Sequence, residues 1–223
     1  MMLWNFKKKT YPDYWEAYLH HFEKKEKKTL DSSRFVAFDC ETTGFDFFID
    51  RILSIGAVSI SKNEIAVADS FEIYLKQSHF NPDSVPIHGI LQHDMLPKLS
   101  EEEAIKQFLN YIEDAVLIAH HASFDIQMIN AALNRMGLPN LKNKVIDTMN
   151  LYANTRIKSN FIDKRAHYSL DHIAEAYAIN LMDRHTAPGD ALIAAIIFLK
   201  TTALLKKSKS FKLERYFLKP NMF

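Results

Sequence analysis

Three extended apolar segments follow one another early in the chain, and later segments alternate between short apolar runs and helical ones. The three extended segments span residues 35–39, 51–60 and 65–75, and the third alternates apolar and polar residues as a half-buried strand does. Short apolar runs follow at residues 116–119 and around Val145. Strands that first come in a group and then alternate with helices predict an α/β domain with a mixed β-sheet flanked by helices.

Apolar residues at helical spacing mark the segments between and after the later strands. Ser100 followed by Glu103 is a capping-box pattern, and we expect the helix that it opens to run to about Asp114. Further helices are expected over residues 124–136, 170–177 and 191–205.

The two ends of the chain differ in charge from its middle. Residues 1–30 carry a net charge of +3 and residues 200–223 carry +6, whereas residues 31–199 carry −8. We divide the chain into a basic and aromatic N-terminal extension up to residue 30, a domain over 31–205 and a basic and aromatic tail over 206–223. Charged runs are usually solvated, although basic ends can also attract a polyanion towards an acidic, metal-binding centre.

Aromatic residues recur in both basic ends. In the N-terminal extension they fall at helical spacing, which predicts an extra helix over residues 12–27 whose aromatic stripe packs on the domain. Docking of that stripe on a protein partner is the weaker alternative. In the tail, Phe211, Tyr216 and Phe217 stand among lysines, so they could stack on unpaired bases, dock on a partner or pack on the domain.

Cysteine content and apolar runs bear on the compartment. The single cysteine, Cys40, cannot form an internal disulfide or a thiolate zinc site, which favours a reducing interior. No apolar run comes close to the ~20 residues of a membrane helix. The chain starts with an apolar stretch before its lysines, the reverse of the order in a secretory signal. We therefore expect a cytoplasmic protein without a membrane span.

Residues 39–44, which read Asp-Cys-Glu-Thr-Thr-Gly, follow directly on the first strand. Positions i and i+2 of a strand point to the same face, so Asp39 and Glu41 can converge at its carboxyl end, where α/β sheets usually bind ligands. Two carboxylates that close repel each other unless a cation lies between them, and hard oxygen ligands select Mg²⁺ or Mn²⁺. Taken alone, this pattern is more often an acidic turn.

Two later segments place polar groups at helix starts. Residues 120–125 read His-His-Ala-Ser-Phe-Asp, and they put Asp125 in a first turn, where the helix dipole alone stabilises an acid by ~0.3–1 kcal/mol. Residues 185–191 read His-Thr-Ala-Pro-Gly-Asp-Ala, with Asp190 in the first turn of the last helix and His185 before it. A histidine can accept a proton from water near neutral pH, although a lone surface histidine is the commoner case.

In this chain order the three segments resemble the DEDDh exonucleases, the family that includes the proofreading subunit of bacterial replicative DNA polymerase. Residues 39–44 resemble the family motif D-x-E-T-T-G, residues 120–125 resemble H-N-x-x-F-D, and residues 185–191 resemble H-x-A-x-x-D-A. His88 lies in a segment similar to the H-G-I of the family. His121 departs from the pattern, because the family usually has Asn there, and it puts only local detail in doubt.

The resemblance covers roughly residues 33–200 and implies a ribonuclease-H-like fold with a role for each matched residue. For Phe124, packing in the core is a nearly equal alternative to substrate binding. The resemblance implies that two Mg²⁺ or Mn²⁺ ions are bound by Asp39, Glu41, Asp125 and Asp190, that His185 is the general base, and that the terminal nucleotide contacts Thr42, Thr43, His88 and Phe124.

The activity that the resemblance implies is 3′→5′ exonucleolytic hydrolysis by two metal ions, with release of nucleoside 5′-monophosphates. The expected partner is nucleic acid with a free 3′ end, single-stranded DNA being favoured, in proofreading or repair. Trimming of RNA by the same chemistry is the alternative, because the choice depends on contacts at the sugar 2′ position. A non-catalytic nucleic-acid-binding module is a second alternative, and the presence of all five catalytic-type residues argues against it.

Overall fold

The computed structural model describes residues 10–24, 27–92, 95–156 and 168–219. The chain forms a six-stranded mixed β-sheet flanked by helices, as the sequence predicts. The strands are β1 (Phe35–Thr42), β2 (Ile52–Ser61), β3 (Glu64–Leu75), β4 (Lys98–Leu99), β5 (Val116–Ala119) and β6 (Val145–Asp147).

Seven α-helices are present in the described part of the chain, together with 3₁₀ turns at Pro82–Ser84 and Leu213–Tyr216. The two-residue β4 and the helix α5 were not predicted, and the sequence of α5 lacks the apolar spacing that marks an amphipathic helix. The helices are α1 (Asp13–His20), α2 (Val85–His88), α3 (Glu101–Ile112), α4 (Ser123–Arg135), α5 (Thr148–Arg156), α6 (Leu170–Ala176) and α7 (Ala187–Leu205).

The strand order β4-β3-β2-β1-β5-β6 places β1 in the middle of the sheet. β1 pairs antiparallel with β2 and parallel with β5, and β5 pairs parallel with β6. In the register of β1 and β5, Ala37 lies opposite Ile118, so the chain leaves β5 close to Asp39. The carboxyl ends of the central strands therefore meet at the edge of the sheet where α4 begins.

Helix α7 packs against β1 and β2, and its first turn lies directly on the sheet. Thr186 caps the helix by accepting a hydrogen bond from the Gly189 amide (3.2 Å), so α7 begins before the predicted span of 191–205 and holds Asp190 in its first turn as expected. Gly56 of β2 allows the close approach, because a Cβ atom there would lie 2.1 Å from the backbone nitrogen of Pro188. This contact brings Asp190 to the carboxyl end of β1.

The expectation that no apolar run approaches the length of a membrane helix was wrong for α7. Among the described residues it is the helix long and apolar enough, by length and composition, to cross a membrane. However, 56% of that window is buried inside the domain, against the sheet and α5. Burial against a sheet explains a helix that is apolar on most of its faces.

The N-terminal aromatic stripe packs on the domain, and its helix α1 is shorter than the predicted span of 12–27. Trp15 and Tyr18 are fully buried in the core cluster that includes α3. The Tyr18 hydroxyl donates to Asn143 Oδ1 (2.6 Å) and accepts from the Lys142 amide (2.8 Å). Trp15 and Tyr18 thus pack on the domain as expected, and docking of the more exposed residues of the stripe on a protein partner stays a prediction.

The aromatic residues of the C-terminal tail also pack on the domain. Leu213 is buried in a hydrophobic cluster to which β1 and α7 also contribute. Phe211, Tyr216 and Phe217 are half-buried and pack against that cluster. Phe217 forms an antiparallel bridge with Ile146 of β6. Packing on the domain is therefore one role of these rings, and stacking of their exposed faces on unpaired bases stays a prediction. The first nine residues of the predicted extension and the last four of the predicted tail lie outside the described residues.

Candidate active site

Three carboxylates meet at the carboxyl end of β1. Asp39 and Glu41 come from the strand and Asp190 from the first turn of α7, and one ligand oxygen of each lies within 4.8 Å of the other two. Asp190 is buried, and the other two are partly buried. The i, i+2 spacing thus brings Asp39 and Glu41 together as the sequence predicts, and the packing of α7 adds Asp190.

Asp125 approaches the same strand from the start of α4 and lies outside that group of three. It is buried, and its Oδ1 accepts a hydrogen bond from the Cys40 amide (3.0 Å). Cys40 stands between Asp39 and Glu41 in the strand, so Asp125 is fixed beside both residues. Its negative charge contributes to the raised pKa of Asp39.

The carboxylates resist ionisation in the absence of a cation. Burial raises the pKa of Asp39 well above its ordinary value, and the charges of Asp125, Asp190 and Glu41 raise it further. Burial and then the charge of Asp190 raise the pKa of Glu41 to about 7. Burial raises the pKa of Asp125 to about 8. Such mutual repulsion is what a bound divalent cation relieves.

Arg184 is the cation that the structure places in this cluster, and the sequence analysis did not single it out. Its guanidinium contacts Asp190 Oδ2 and forms an ion pair with Asp171 (2.7 Å). The other oxygen, Asp190 Oδ1, is buried and has no hydrogen-bond partner among the described residues. A buried carboxylate oxygen without a partner, in a group of three close carboxylates, fits the ligand set of Mg²⁺ or Mn²⁺.

His185 lies at the mouth of this cluster. It is exposed, it has a left-handed backbone conformation (φ 62°), and it precedes Thr186, the cap of α7. Burial is the largest influence on the pKa of Asp190 and raises it, whereas the Arg184 guanidinium and then the neighbouring His185 lower it. The side chain is thus next to the carboxylates and open to water, as the sequence interpretation requires.

The two threonines of the first motif stabilise the loop that follows β1. The Thr43 hydroxyl is buried; it donates to Asp50 Oδ1 (2.7 Å) and accepts from the Arg51 amide (3.0 Å). The Thr42 hydroxyl donates to the Gly44 carbonyl (2.8 Å). Asp50 was missed in the sequence because nothing in its local pattern shows that it reaches back to Thr43.

His88 is buried at the end of α2, and its ring is bonded within its own segment. Nδ1 accepts from the Ile90 amide (3.0 Å), which leaves Nε2 to donate to Ser84 Oγ (3.0 Å). Burial lowers the pKa of His88, so its ring is held neutral. Phe124 is half-buried and contacts Phe45, with ring centroids 5.6 Å apart, so it combines core packing with a position at the site.

Asp147 shapes the segment that presents Asp125. Its Oδ2 accepts from the Ala122 amide (3.1 Å), and its Oδ1 accepts from the Met149 amide (2.8 Å). Asp147 therefore has a structural hydrogen-bonding role. His120 beside it is half-buried and contacts Thr148 Oγ1 (2.9 Å), and burial lowers its pKa to about 3.

The raised pKa values predict that the metal-free protein loses stability as the pH rises from about 5 to about 9. The pKa values of about 7 for Glu41 and about 8 for Asp125 exceed the ~4 of unfolded carboxyl groups. The folded state therefore retains protons that the unfolded state has lost, and the stability they contribute disappears above those pKa values.

Melting temperatures measured in EDTA and in Mg²⁺ across this pH range test the expectation. We expect a decline with pH in EDTA and a smaller decline in Mg²⁺, because the cation favours the ionised carboxylates. Asp39→Asn serves as the matched variant and should have a shallower decline in EDTA. A melting temperature in EDTA that rises over this range would rule out the raised pKa values.

Comparison with known sequences supports a nuclease. A family model described as exonuclease matches residues 36–198. The PolC-type DNA polymerase III of Thermotoga maritima is 33% identical over 181 residues, which are 80% of this chain and 12% of the relative. The corresponding protein of a Staphylococcus epidermidis strain is 30% identical over 181 residues, 81% of this chain and 12% of the relative. The chain thus spans about 12% of the length of these curated relatives.

Solved structures share the fold at low sequence identity. Exonuclease I of E. coli in complex with a dT13 oligonucleotide superposes with a TM-score of 0.67 at 16% identity, over 79% of this chain and 42% of that one. Exonuclease X in complex with 5′ overhanging duplex DNA gives 0.58 at 21% identity, over 82% of this chain and 96% of that one. These likenesses establish the ribonuclease-H-like architecture of the domain.

Proposed function

Since this chain belongs to the exonuclease family whose model matches residues 36–198, we propose that it is a divalent-metal-dependent 3′→5′ exonuclease that removes nucleoside 5′-monophosphates from DNA. The observation that carries this proposal is the cluster of Asp39, Glu41 and Asp190 at the carboxyl end of β1. The hydrogen bond that holds Asp125 against the same strand and the exposure of His185 further support the proposal.

We assign the four carboxylates to two proposed cations. Asp39, Glu41 and Asp190 would hold one Mg²⁺ or Mn²⁺ ion, and Asp39 with Asp125 would hold a second. Bound ions would supply Lewis acidity and offset the negative charge of the phosphodiester. The proposed contacts of the terminal nucleotide are still Thr42, Thr43, His88 and Phe124. The Thr43 amide and hydroxyl already form hydrogen bonds within the loop that follows β1.

The remaining groups of the chain have defined tasks in this proposal. The His185 imidazole would accept a proton from the attacking water, which requires the exposure that this side chain has. Arg184, which is paired with Asp171, would hold Asp190 by its Oδ2 atom. Asp190 Oδ1 would then be available to a cation. The Cys40 amide would fix the orientation of Asp125. Buried and hydrogen-bonded carboxylates keep their geometry when a substrate binds, which favours a rapid reaction.

DNA is proposed as the substrate because the similar proteins act on or contain it by name. The curated relatives are DNA polymerases, and the two structural neighbours were determined with DNA bound. RNA is the alternative substrate that the experiment tests, since the described residues include no established contact to a 2′-hydroxyl group.

The direct test is incubation of the purified protein with 5′-labelled single-stranded DNA, a duplex with a mismatched 3′ end, and RNA of equal length. In Mg²⁺ or Mn²⁺ we expect a ladder of 5′-labelled products that shorten with time, and faster loss of single-stranded DNA than of RNA. Labelling the 3′ end instead should release labelled mononucleotide from the first turnover. Internal cuts, or mononucleotide released first from a 5′ label, would contradict the proposed polarity, and faster loss of RNA would contradict the substrate.

A further inference from the structure

The loop between β1 and β2 exposes three large apolar side chains to solvent. Phe45 is 79% exposed, Phe48 is 90% exposed and Ile49 is 58% exposed. Single exposed apolar residues are normal, but three within five residues beside a catalytic cluster form a patch that favours binding. Phe45 contacts Phe124 and so belongs with the terminal-nucleotide site already described. Phe48 and the surface next to it have no assigned role.

Hydrogen bonds hold this loop in one conformation. Asp46 Oδ1 accepts from the Phe48 amide (2.8 Å), and the Asp46 amide donates to Asp50 Oδ2 (2.9 Å). The Arg51 guanidinium donates to the carbonyls of Phe48 (3.1 Å) and Ile49 (2.6 Å). A loop that is already ordered loses little conformational entropy on binding, which favours a rigid aromatic contact surface.

A surface cavity of about 500 Å³ lies between this loop and helix α4. Phe47 and Phe48 line it on the loop side, and Asn130, Asn134 and Asn140 contribute amide groups. Asn130 Oδ1 accepts from the Leu141 amide, which leaves its Nδ2 as a donor. Asn134 Nδ2 and Asn140 Oδ1 lie 3.4 Å apart, so Asn134 Oδ1 and Asn140 Nδ2 remain to bond with an occupant. The cavity therefore combines aromatic faces with both donors and acceptors.

The charge of this cavity favours a nucleobase over a phosphate group. Arg135 is the charged residue at its rim, and Glu101 binds the Arg135 guanidinium with two oxygens, at 3.0 and 2.7 Å. A guanidinium paired in this way offers little attraction to a phosphate. An aromatic surface with neutral amides instead matches a nucleobase, whose faces stack and whose edge carries donors and acceptors.

Phe124 connects this cavity with the carboxylate cluster. It precedes Asp125 in the chain, and its ring centroid lies 5.6 Å from that of Phe45 and 5.8 Å from that of Phe47. Phe47 in turn lines the cavity. A continuous row of aromatic rings therefore joins the carboxylate cluster at Asp125 to the cavity.

We propose that the cavity between Phe48 and helix α4 binds an unpaired nucleobase of the substrate strand, upstream of the nucleotide that is removed. Phe48 provides the stacking face, and Asn134 and Asn140 provide the contacts to the base edge. This proposal rests on the proposed function, because it takes the occupant from the strand whose 3′ end enters the carboxylate cluster.

Phe48→Ala and Asn134→Ala test the site with two substrates. A short thymidine oligonucleotide reaches the cavity, whereas the p-nitrophenyl ester of thymidine 5′-monophosphate can fill only the terminal site. We expect Phe48→Ala to raise the KM for the oligonucleotide roughly 5- to 100-fold, as for the loss of one stacked base, with kcat little changed. Hydrolysis of the mononucleotide ester should stay at the wild-type rate. Val67→Ala, which removes an exposed apolar side chain from β3, is the matched control.

Equilibrium binding of a fluorescent thymidine oligonucleotide in EDTA gives a second readout that does not depend on activity. Phe48→Ala and Asn134→Ala should weaken binding, and the weakening should vanish for oligonucleotides too short to reach the cavity. Unchanged oligonucleotide affinity in Phe48→Ala, or an equal effect on both substrates, would overturn the nucleobase site. A wild-type protein that binds the oligonucleotide with this dependence but hydrolyses neither substrate would overturn the proposed function and leave the site standing.

Discussion

Asp39→Asn should reduce DNA hydrolysis by on the order of 10³-fold or more while the fold remains intact. Asp39 belongs to the group of three close carboxylates and is also affected by the charge of Asp125, so it is the residue that would help to hold both proposed cations. Loss of a shared ligand removes several kcal/mol of charge stabilisation in the transition state, and each 1.36 kcal/mol corresponds to a factor of ten in rate.

The same substitution should not destabilise the metal-free protein. Asn retains the shape of Asp39 and removes a charge that its neighbours repel, so the melting temperature in EDTA above pH 8 should be equal or higher. Turnover with saturating Mg²⁺ and the melting temperature in EDTA should be measured together. Asp83→Asn, on an exposed 3₁₀ turn, is the matched control and should keep full activity. An Asp39→Asn protein with more than a tenth of the wild-type turnover would refute a metal ligand at this position.

Asp125 cannot serve as an equally clean test. Its carboxylate accepts the hydrogen bond of the Cys40 amide inside the core, so Asp125→Ala leaves a buried donor without a partner. The resulting loss of stability is on the order of 1–3 kcal/mol, and it would accompany any loss of a cation. A fall in activity in that variant would therefore combine two causes, which the Asp39 variant separates.

His185→Ala should lower turnover by roughly 10²- to 10⁴-fold, the contribution of a positioned general base. His185 is exposed, so its removal should leave the melting temperature and the affinity for Mn²⁺ nearly unchanged. Added imidazole should restore part of the lost rate, because the vacated position is open to solvent. Turnover, Mn²⁺ affinity and rescue by imidazole are the three measurements.

His20→Ala is the control for this substitution, because His20 is an exposed histidine on α1, which packs on α3. It should show wild-type turnover and no response to imidazole. If His185→Ala also retains near-wild-type turnover, proton transfer must occur elsewhere in the cluster. A strong loss of Mn²⁺ affinity in His185→Ala would instead indicate a role in holding the cation.

Local patterns in the sequence were sufficient to predict most of the secondary structure and the convergence of two of the site carboxylates. β5 was predicted at its observed limits, and the cap of α3 at Ser100 was confirmed, because apolar runs and capping side chains act over a few residues. The convergence of Asp39 and Glu41 followed from the alternation of side chains along a strand. Only the order of the motifs, through the family resemblance, linked these residues to Asp190.

The features that depend on distant packing could not be predicted. Sequence periodicity does not give the pairing of Ala37 with Ile118, which sets where Asp125 meets β1. Nothing local indicated that Arg184 contacts Asp190, or that Asp50 reaches Thr43. The chain ends were ambiguous for the same reason, because a row of aromatic residues can pack inward or face a partner until the neighbouring surface is known.

The proposed activity depends on a divalent-metal site formed by the carboxylates at the carboxyl end of β1. Anomalous diffraction at the manganese edge, from crystals of the protein soaked in Mn²⁺, tests it most directly. We expect a strong peak among the carboxylates of Asp39, Glu41 and Asp190, a second peak between Asp39 and Asp125 when nucleotide is bound, and loss of both peaks in Asp39→Asn. Crystals saturated with Mn²⁺ that show no peak at these carboxylates, or that show the same peaks in Asp39→Asn, would contradict it.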